Sequence, residues 1–250
     1  MAKTILITGA SSGFGEATAR LLADGGHNLI LVARRIDKLT KLAEELPAKT
    51  YVRQVDVTDK QQVADLFATL PAEFSGIDVL VNNAGLAAGL DLAQDADLAD
   101  WEKMIDTNNK GLLYLTHFAL KGMMDRNSGL IINIGSVAGS APYPKGNVYG
   151  ATKAFVRQFS RNLRADLLGT NVKISNIEPG VAETEFSMVR FKGDEQKAKA
   201  VYENTRALLP EDIASTIKWI IDQPLRVNID NIEIMPIDQS YAGLTMHRGS

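Results

Sequence analysis

A tyrosine and a lysine four residues apart have the types and the spacing to carry out proton chemistry. Tyr149 and Lys153 stand in the run Val-Tyr-Gly-Ala-Thr-Lys that ends at Lys153. On a helix, residues four apart lie on one face, so the phenol and the ammonium point into the same space. A free tyrosine has a pKa near ~10, and an adjacent cation favours its phenolate and brings it closer to working range at neutral pH. The same spacing also occurs by chance in ordinary helices, so its weight depends on the residues around it.

Two polar residues earlier in the chain could complete such a site. Ser136 comes directly after a buried apolar run, a few residues before the tyrosine, and can hydrogen-bond the same carbonyl oxygen as the phenol. Asn108 lies in an otherwise apolar helical stretch, where an asparagine most often faces solvent or marks a helix irregularity. None of the three histidines has a metal-ligand partner at i+4, so no metal is predicted.

A glycine-rich turn after the first apolar run predicts a phosphate-binding loop. Gly9, Gly13 and Gly15 allow a tight turn and a close approach of the backbone to a pyrophosphate. The helix that begins there offers free N–H groups and a positive dipole end. Glycine-rich turns also occur without a ligand, but a strand before and a helix after form the context that confirms such a motif.

The end of the second predicted strand indicates which dinucleotide would bind. NAD-binding proteins place an acidic residue there to hold the ribose hydroxyls. Here Ala33 occupies that position, and Arg34 and Arg35 follow it. Arginine suits a 2′-phosphate through its charge and its planar donor fork, although two arginines could also be ordinary surface residues. We therefore predict NADP(H) as the cofactor.

Apolar runs alternate with amphipathic stretches along the chain, which is typical of βαβ units. We predict α/β architecture: a single Rossmann-type domain over residues 1–250, with a doubly wound parallel seven-stranded sheet and helices on both faces. The predicted strands are 4–8, 28–33, 51–55, 79–82, 130–135, 173–177 and 231–237. The predicted helices are 15–25, 37–46, 60–70, 98–126, 148–168 and 210–223.

About thirty residues between Gly180 and Pro210 interrupt this alternation. Long excursions of this kind are usually functional lids or disordered segments. This one follows the carboxyl end of a strand, where ligands bind in open α/β sheets. We predict a substrate lid at about 181–209; the alternative is a solvated amphipathic surface helix.

The composition excludes several classes of protein. The net charge of −3 and a pI of about 5.7 give no basic footprint for nucleic acid or an anionic membrane. No stretch approaches the roughly 20 apolar residues that a membrane-spanning helix needs, and the N-terminal residues carry no secretory pattern. Cysteine is absent, which excludes disulfides, thiolate nucleophiles and cysteine metal sites. We expect a cytoplasmic location.

Six motifs in order resemble the short-chain dehydrogenase/reductases over residues 4 to about 237. They are Thr8-Gly-x-x-x-Gly-x-Gly15, Asn82-Asn-Ala-Gly85, Asn108-x-x-Gly111, Ser136, Tyr149-x-x-x-Lys153 and Pro179-Gly180. The resemblance implies an oxidoreductase in which Tyr149 is the general acid/base and Ser136 holds and polarises the substrate oxygen. It implies that Lys153 binds the nicotinamide ribose and lowers the tyrosine pKa, and that Asn108 holds a water that relays protons.

The resemblance also implies an extended set of cofactor contacts. Asp56 and Val57 would meet the adenine, while Asn83 and the segment that begins at Pro179 would line the cofactor. The complete predicted set comprises the pair Tyr149 and Lys153 together with Gly9, Ser11, Ser12, Gly13, Phe14, Gly15, Arg34, Arg35, Asp56, Val57, Asn83, Ala84, Gly85, Pro179, Gly180, Val181 and Thr184.

Within that family, five segments are similar to the NADP-dependent 3-hydroxy acid dehydrogenases, the group of serine/allo-threonine dehydrogenase and malonic semialdehyde reductase. The segments are 101–111, 146–159, 184–186, 189–193 and 240–243. The implied reaction oxidises the β-hydroxyl of a small acid or reduces the matching semialdehyde. Enzymes that reduce sulfoacetaldehyde look much alike in these segments and stay an alternative, as does a non-catalytic NADPH sensor. The family implies a homotetramer that pairs helices 98–126 and 148–168.

The acid group of such a substrate needs a cation or a good hydrogen-bond donor. Arg190 is the first choice, because a guanidinium can grip a carboxylate with two hydrogen bonds. Lys145, His247 and Arg248 are the alternatives, and each could equally be a solvated surface charge.

Overall fold

The computed structural model describes residues 2–241, in which seven strands form one parallel sheet. The strand order is β3-β2-β1-β4-β5-β6-β7, which confirms the predicted doubly wound sheet. The strands are β1 (Thr4–Thr8), β2 (Asn28–Ala33), β3 (Thr50–Gln54), β4 (Val79–Asn82), β5 (Gly129–Ile134), β6 (Val172–Pro179) and β7 (Asn231–Ile234). Because the chain proceeds outward in both directions from β1 and β4, a crevice opens at the carboxyl ends of these two strands.

Helices cover both faces of the sheet. They are α1 (Gly13–Asp24), α2 (Ile36–Glu45), α3 (Lys60–Ala68), α4 (Leu98–Ile105), α5 (Leu112–Asp125), α6 (Asn147–Asp166), α7 (Phe186–Arg190), α8 (Glu195–Ala200) and α9 (Pro210–Ile221). Each predicted strand and helix is present with its ends shifted by at most three residues, except that the helix predicted over 98–126 is divided into α4 and α5. None of the helices in residues 2–241 has the length and apolar character that crossing a membrane requires.

The alternation of side chains along each strand builds a separate hydrophobic core on each face. Ile5 and Ile7 of β1 pack with α1, α2 and α9, whereas Leu6 between them packs with α3, α5 and α6. All three side chains are fully buried. Both faces of the strands are therefore apolar, as the unalternating sequence of the strands predicts for a parallel sheet.

The predicted single helix over 98–126 contains a π-helical turn, Asp106–Gly111, between α4 and α5. The prediction of one continuous helix over 98–126 is therefore wrong at this turn. The turn carries Asn108, whose side chain bonds to Leu86 and Thr152, and it sets Gly111 directly against Val57, 2.8 Å from where a Cβ would lie. Single π-helical turns inside α-helices are frequent at functional sites.

A buried polar chain ties the sheet to α6. Asn82 of β4 donates to Thr116 of α5 at 3.0 Å and to Asn133 of β5 at 2.9 Å. Asn133 in turn donates to the Ser160 hydroxyl of α6 at 2.9 Å. Buried polar groups need such partners, so this chain sets the position of α6, the helix that carries Tyr149 and Lys153, on the sheet.

Candidate active site

A cavity of about 540 Å³ opens at the carboxyl edge of the sheet, between the first turn of α1, the ends of β2, β4, β5 and β6, and the lid segment, residues 181–209. All predicted cofactor residues line it except Gly15, and so do Ser136, Tyr149, Lys153 and Arg190. Gly15 and Asn108 lie behind its wall. The lid segment contributes α7 and Tyr202 to the lining, whereas α8 has a single buried residue, Ala198.

The glycine loop has the backbone that its sequence predicts. Gly9 and Gly13 have φ values of 64° and 54°, which favour glycine. A Cβ on Gly9 would lie 2.9 Å from the Asn83 side-chain nitrogen, and one on Gly15 would collide with the Gly9 carbonyl oxygen. Asn83 donates to the carbonyl oxygens of Thr8, at 2.8 Å, and of Gly9, at 3.3 Å. The loop is thus fixed to the end of β4, with no room for a Cβ at Gly9 or Gly15. Gly13 and Phe14 at the start of α1 line the cavity, where helix N–H groups could bind an anion.

The end of β2 brings the two predicted arginines to the cavity, both with exposed side chains. Arg35 donates to Ser11, to Ser12 and to Glu185 of the lid segment. The Arg34 side chain makes no hydrogen bond or ion pair in the part of the chain that the structure describes. Asp56 accepts from the Thr58 backbone and hydroxyl through one carboxylate oxygen.

The Ser136 turn is held tightly against α6. Ser136 follows β5 and caps a short turn, accepting from the Ala138 N–H at 3.1 Å, and its hydroxyl donates to the Pro179 carbonyl oxygen at 3.4 Å. A Cβ on Gly139 would lie 2.7 Å from the Lys153 carbonyl carbon. A side chain at position 139 would prevent this close approach of the turn to α6. The approach places Ser136 beside the phenol of Tyr149.

Lys153 is a buried cation whose side chain has one hydrogen-bond partner among residues 2–241. Its side chain is 6% exposed, and Nζ donates to the Ile134 carbonyl oxygen at 2.8 Å. Nζ lies 5.9 Å from the centre of the Tyr149 ring. Burial lowers the pKa of the Lys153 ammonium to about 8, because the protein interior disfavours the charged form.

The pKa of Tyr149 in the protein alone is raised rather than lowered. Burial of the phenol is the largest cause, and Tyr143 adds to it. The Arg190 guanidinium and a hydrogen bond with Ser136 both lower the pKa but do not outweigh burial. The expectation that an adjacent cation lowers this pKa is therefore not met in the protein alone, because desolvation of the buried phenol outweighs the groups that lower it.

Asn108 connects the π-helical turn to Leu86 and to Thr152 of α6. Its amide oxygen accepts from Leu86 N–H at 2.8 Å, and its amide nitrogen donates to the Leu86 carbonyl at 2.8 Å and to Thr152 at 3.0 Å. It does not contact Lys153. Both side chains border Gly85, however, since a Cβ there would lie 3.3 Å from the Asn108 oxygen and 3.5 Å from Lys153 Nζ.

Arg190 of α7 projects over the phenol. Its guanidinium carbon lies 5.1 Å from the centre of the Tyr149 ring and 5.2 Å from that of Phe186. One nitrogen donates to the Tyr143 hydroxyl at 3.2 Å, while Nε is buried without a hydrogen-bond partner among the described residues. Lys145, by contrast, is exposed and outside the cavity lining.

Tyr143 is a site residue that the sequence did not reveal. It lies in the loop between Ser136 and α6, and its only sequence signal is an aromatic residue between two prolines shortly before Tyr149. The two C-terminal alternatives for the acid group, His247 and Arg248, lie outside the described residues. Over residues 2–241 no three His, Asp or Glu side chains are grouped as metal ligands.

Fold and site together define a short-chain dehydrogenase, and the chain belongs to that family: residues 3–195 match the short chain dehydrogenase family. It is similar to the NADP-dependent 3-hydroxy acid dehydrogenase YdfG of Shigella flexneri, with 56% identity over 98% of this chain and 99% of the relative. The solved closed form of serine dehydrogenase complexed with NADP+ is 54% identical, with a TM-score of 0.94 over 98% of this chain and 99% of that one. Sulfoacetaldehyde reductase 2 of Chromohalobacter salexigens is 47% identical over 99% of this chain and its full length.

Proposed function

We propose that this protein is an NADP-dependent oxidoreductase that transfers a hydride between the nicotinamide and the β-carbon of a small 3-hydroxy acid or its semialdehyde. Serine, allo-threonine and 3-hydroxypropionate are substrates of this type. The observation that carries the proposal is the Arg190 guanidinium, 5.1 Å from the Tyr149 ring. A cation at that distance suits a substrate whose acid group lies two carbons from the reacting oxygen.

The residues around the cavity fit a dinucleotide. Gly9 and Gly13 of the glycine loop line the cavity and have the positive φ values of a tight turn. Arg34 has a guanidinium without a protein partner over residues 2–241, which a 2′-phosphate could engage, and Lys153 lies where a ribose hydroxyl could accept from its ammonium. Bound NADP(H) supplies or accepts the hydride. The protein then has to bind and orient both reactants and to manage one proton.

Tyr149 and Ser136 would manage that proton at the substrate oxygen. During reduction the carbonyl oxygen gains negative charge, which the Tyr149 O–H meets as a general acid and the Ser136 O–H stabilises as a donor. A phenol with a raised pKa stays protonated at neutral pH, which suits the reducing direction. In oxidation the Arg190 guanidinium, which lowers the Tyr149 pKa, would favour the phenolate.

The acid group would be recognised at the lid side of the phenol. Arg190 keeps one donor on Tyr143 and has Nε buried without a partner. A buried donor without a partner costs free energy, and a carboxylate could satisfy it with a bidentate contact. The stacking of the guanidinium on Phe186 restricts its orientation, so the arginine would be in place before the substrate binds.

Of the two alternatives, a sulfonate substrate has specific support and a non-catalytic sensor does not. A sulfonate would suit the same guanidinium, and the likeness to a sulfoacetaldehyde reductase favours that substrate class. A non-catalytic NADPH sensor would not need Ser136, Tyr149 and Lys153 together, and all three line one cavity. This arrangement favours an enzyme.

A substrate panel tests the proposal. NADP(H) absorbance gives kcat/KM for 3-hydroxy acids, their semialdehydes, sulfoacetaldehyde and neutral alcohols of the same length. Arg190→Gln should lower kcat/KM for the acids about 10- to 100-fold, the size of a hydrogen-bonded charge, while sparing neutral alcohols. Lys145→Gln is the matched control, because Lys145 is exposed outside the cavity. An equal loss on acids and neutral alcohols would refute the role of Arg190.

We further propose a homotetramer, a cytoplasmic location and one domain over residues 1–250 with residues 181–209 as its substrate lid. Apolar residues on α4 and α6 support the tetramer: Leu98 is 64% exposed, and Phe155, stacked on Phe159 with ring centres 6.0 Å apart, is 39% exposed. These are the helices that the predicted assembly pairs. Size-exclusion chromatography with light scattering tests the tetramer.

A further inference from the structure

The lid segment and the second βα turn meet in an ion-pair cluster whose members Arg35 and Glu185 line the cavity. Glu185, at the start of α7, accepts from Arg35 at 2.9 Å and from Lys38 at 3.0 Å. Glu185 lies 150 positions from Arg35 and 147 positions from Lys38 in the sequence. Because Arg35 and Glu185 both line the cavity and come from the β2–α2 turn and the lid segment, their contact joins these two parts of the cavity wall. We call this cluster the clasp.

The clasp also includes the glycine loop. Arg35 donates through Nε and Nη2 to the Ser11 hydroxyl and through Nη2 to the Ser12 hydroxyl, while Nη1 binds Glu185. Next to Glu185, Thr184 approaches Gly13 so closely that a Cβ on the glycine would be 3.5 Å from it. One guanidinium therefore connects the loop that would hold the pyrophosphate with the segment that would cover it.

The guanidinium groups of the two arginines at the end of β2 differ in whether their nitrogens have protein partners. All three nitrogens of the Arg35 guanidinium already have protein partners. Arg34 is exposed and lines the cavity, and its side chain has no hydrogen bond or ion pair over residues 2–241. A phosphate dianion would therefore find an unengaged fork at Arg34, whereas at Arg35 it would have to displace a carboxylate.

We infer that Glu185, with Arg35 and Lys38, forms a clasp that keeps the lid segment closed over either dinucleotide and slows its release, while Arg34 stays available for the proposed contact with the 2′-phosphate. This inference rests on the proposed cofactor. The Glu185 side chain is 49% exposed, and those of Arg35 and Lys38 are 43% and 45% exposed. Ion pairs with this exposure are individually weak, which allows the clasp to open whenever the cofactor exchanges.

Glu185, the carboxylate of the clasp, is negatively charged at neutral pH. The hydrogen bonds and charges of Lys38 and Arg35 keep the pKa of Glu185 below its ordinary value, although partial burial opposes them. The clasp is therefore formed at physiological pH and should weaken at high ionic strength. Glu185 acts on the lid and not on the reacting atoms, so it is a positioning residue.

The test is the dissociation rate constant of NADPH and of NADH, measured by stopped-flow fluorescence when excess oxidised cofactor displaces each one. Glu185→Gln should raise the dissociation rate constants of both cofactors by the same factor, about two- to tenfold for pairs of this exposure. The substitution should also remove the part of the salt dependence of these rate constants that comes from the clasp. Lys38→Ala should give part of this effect, and little more in combination with Glu185→Gln. Arg34→Gln should raise the NADPH dissociation constant and leave that of NADH unchanged.

Glu183→Gln is the matched control. Glu183 is exposed on the same segment, is not part of the cavity lining, and makes only a backbone hydrogen bond, to Leu208. Unchanged release from Glu185→Gln, or an effect equal to that of the control, would overturn the clasp. Slower release or tighter binding of NADPH alone in Glu185→Gln would also overturn it, since Glu185 would then compete with the 2′-phosphate. If the wild type binds NADPH no better than NADH, the proposed cofactor fails independently of the clasp.

Discussion

Replacing Lys153 by methionine should stabilise this protein at neutral pH while it removes the activity. Burial lowers the pKa of this ammonium from 10.5 to about 8. One pKa unit corresponds to about 1.4 kcal/mol, so keeping Lys153 charged at pH 7 lowers the free energy of unfolding by about 3 kcal/mol. Methionine has a similar length, carries no charge and packs adaptably.

Part of that gain is lost with the hydrogen bond from Lys153 Nζ to the Ile134 carbonyl oxygen. A typical intramolecular hydrogen bond contributes about 1 kcal/mol. The net increase in the free energy of unfolding at pH 7 should therefore be about 2 kcal/mol. For a domain of 150–250 residues this corresponds to a rise in Tm of about 4–8 °C.

The pH dependence separates this explanation from a general packing effect. The folded protein has the lower lysine pKa, so between pH 8 and pH 10.5 the unfolded chain binds more protons than the folded one. Wild-type stability therefore rises with pH in this window. The advantage of Lys153→Met should shrink by about 2 kcal/mol between pH 7 and pH 10.

Urea unfolding at pH 7 and pH 10, at one protein concentration and with refolding checked, measures both quantities. Lys41→Met is the control, because Lys41 is exposed on α2 and a methionine there should leave the pH dependence unchanged. A Lys153→Met variant that is less stable than wild type at pH 7, or more stable by the same amount at both pH values, would refute the reasoning.

Two further predictions concern the residues beside this lysine. Tyr149→Phe should lower kcat about 10²–10⁴-fold, the contribution of general acid–base catalysis, while a fluorescence titration shows unchanged NADPH affinity; turnover close to wild type would remove the acid/base role. Gly139→Ala should lower the free energy of unfolding by about 1–3 kcal/mol and lower kcat as well, because the new Cβ would lie 2.7 Å from the Lys153 carbonyl carbon. Gly76→Ala, where nothing lies within 4 Å of the new Cβ, should change neither quantity, and equal effects of the two substitutions would contradict the packing argument.

The features that could be predicted from the sequence depend on local patterns. Uniformly apolar runs predicted the strands, and a glycine pattern between a strand and a helix predicted a loop whose Gly9 and Gly13 have positive φ. Spacing alone put Tyr149 and Lys153 on one helix, α6. These conclusions require only residues that are close together in the chain.

The features that could not be predicted depend on partners far away in sequence. The π-helical turn exists because Asn108 bonds to Leu86, 22 residues before it, and to Thr152, 44 residues after it. Tyr143 belongs to the site because Arg190 reaches it across 47 residues. The effect of burial on the Tyr149 pKa is likewise set by the tertiary structure, and it outweighs the cation that the local pattern emphasises.

The two cations near Tyr149 are held by different parts of the fold, and this difference assigns one ligand to each cation. Lys153 of α6 donates to the end of β5 and borders Gly85, so its ammonium is held against the sheet. Arg190 is stacked on Phe186 and belongs to the lid segment. A cofactor bound along the sheet would thus meet the cation that is hydrogen-bonded to β5, whereas the acid group of a substrate would meet the cation that stands on the proposed lid. Because Arg190 also lowers the Tyr149 pKa, lid closure over an acid substrate would tune the phenol and bind the substrate in one step.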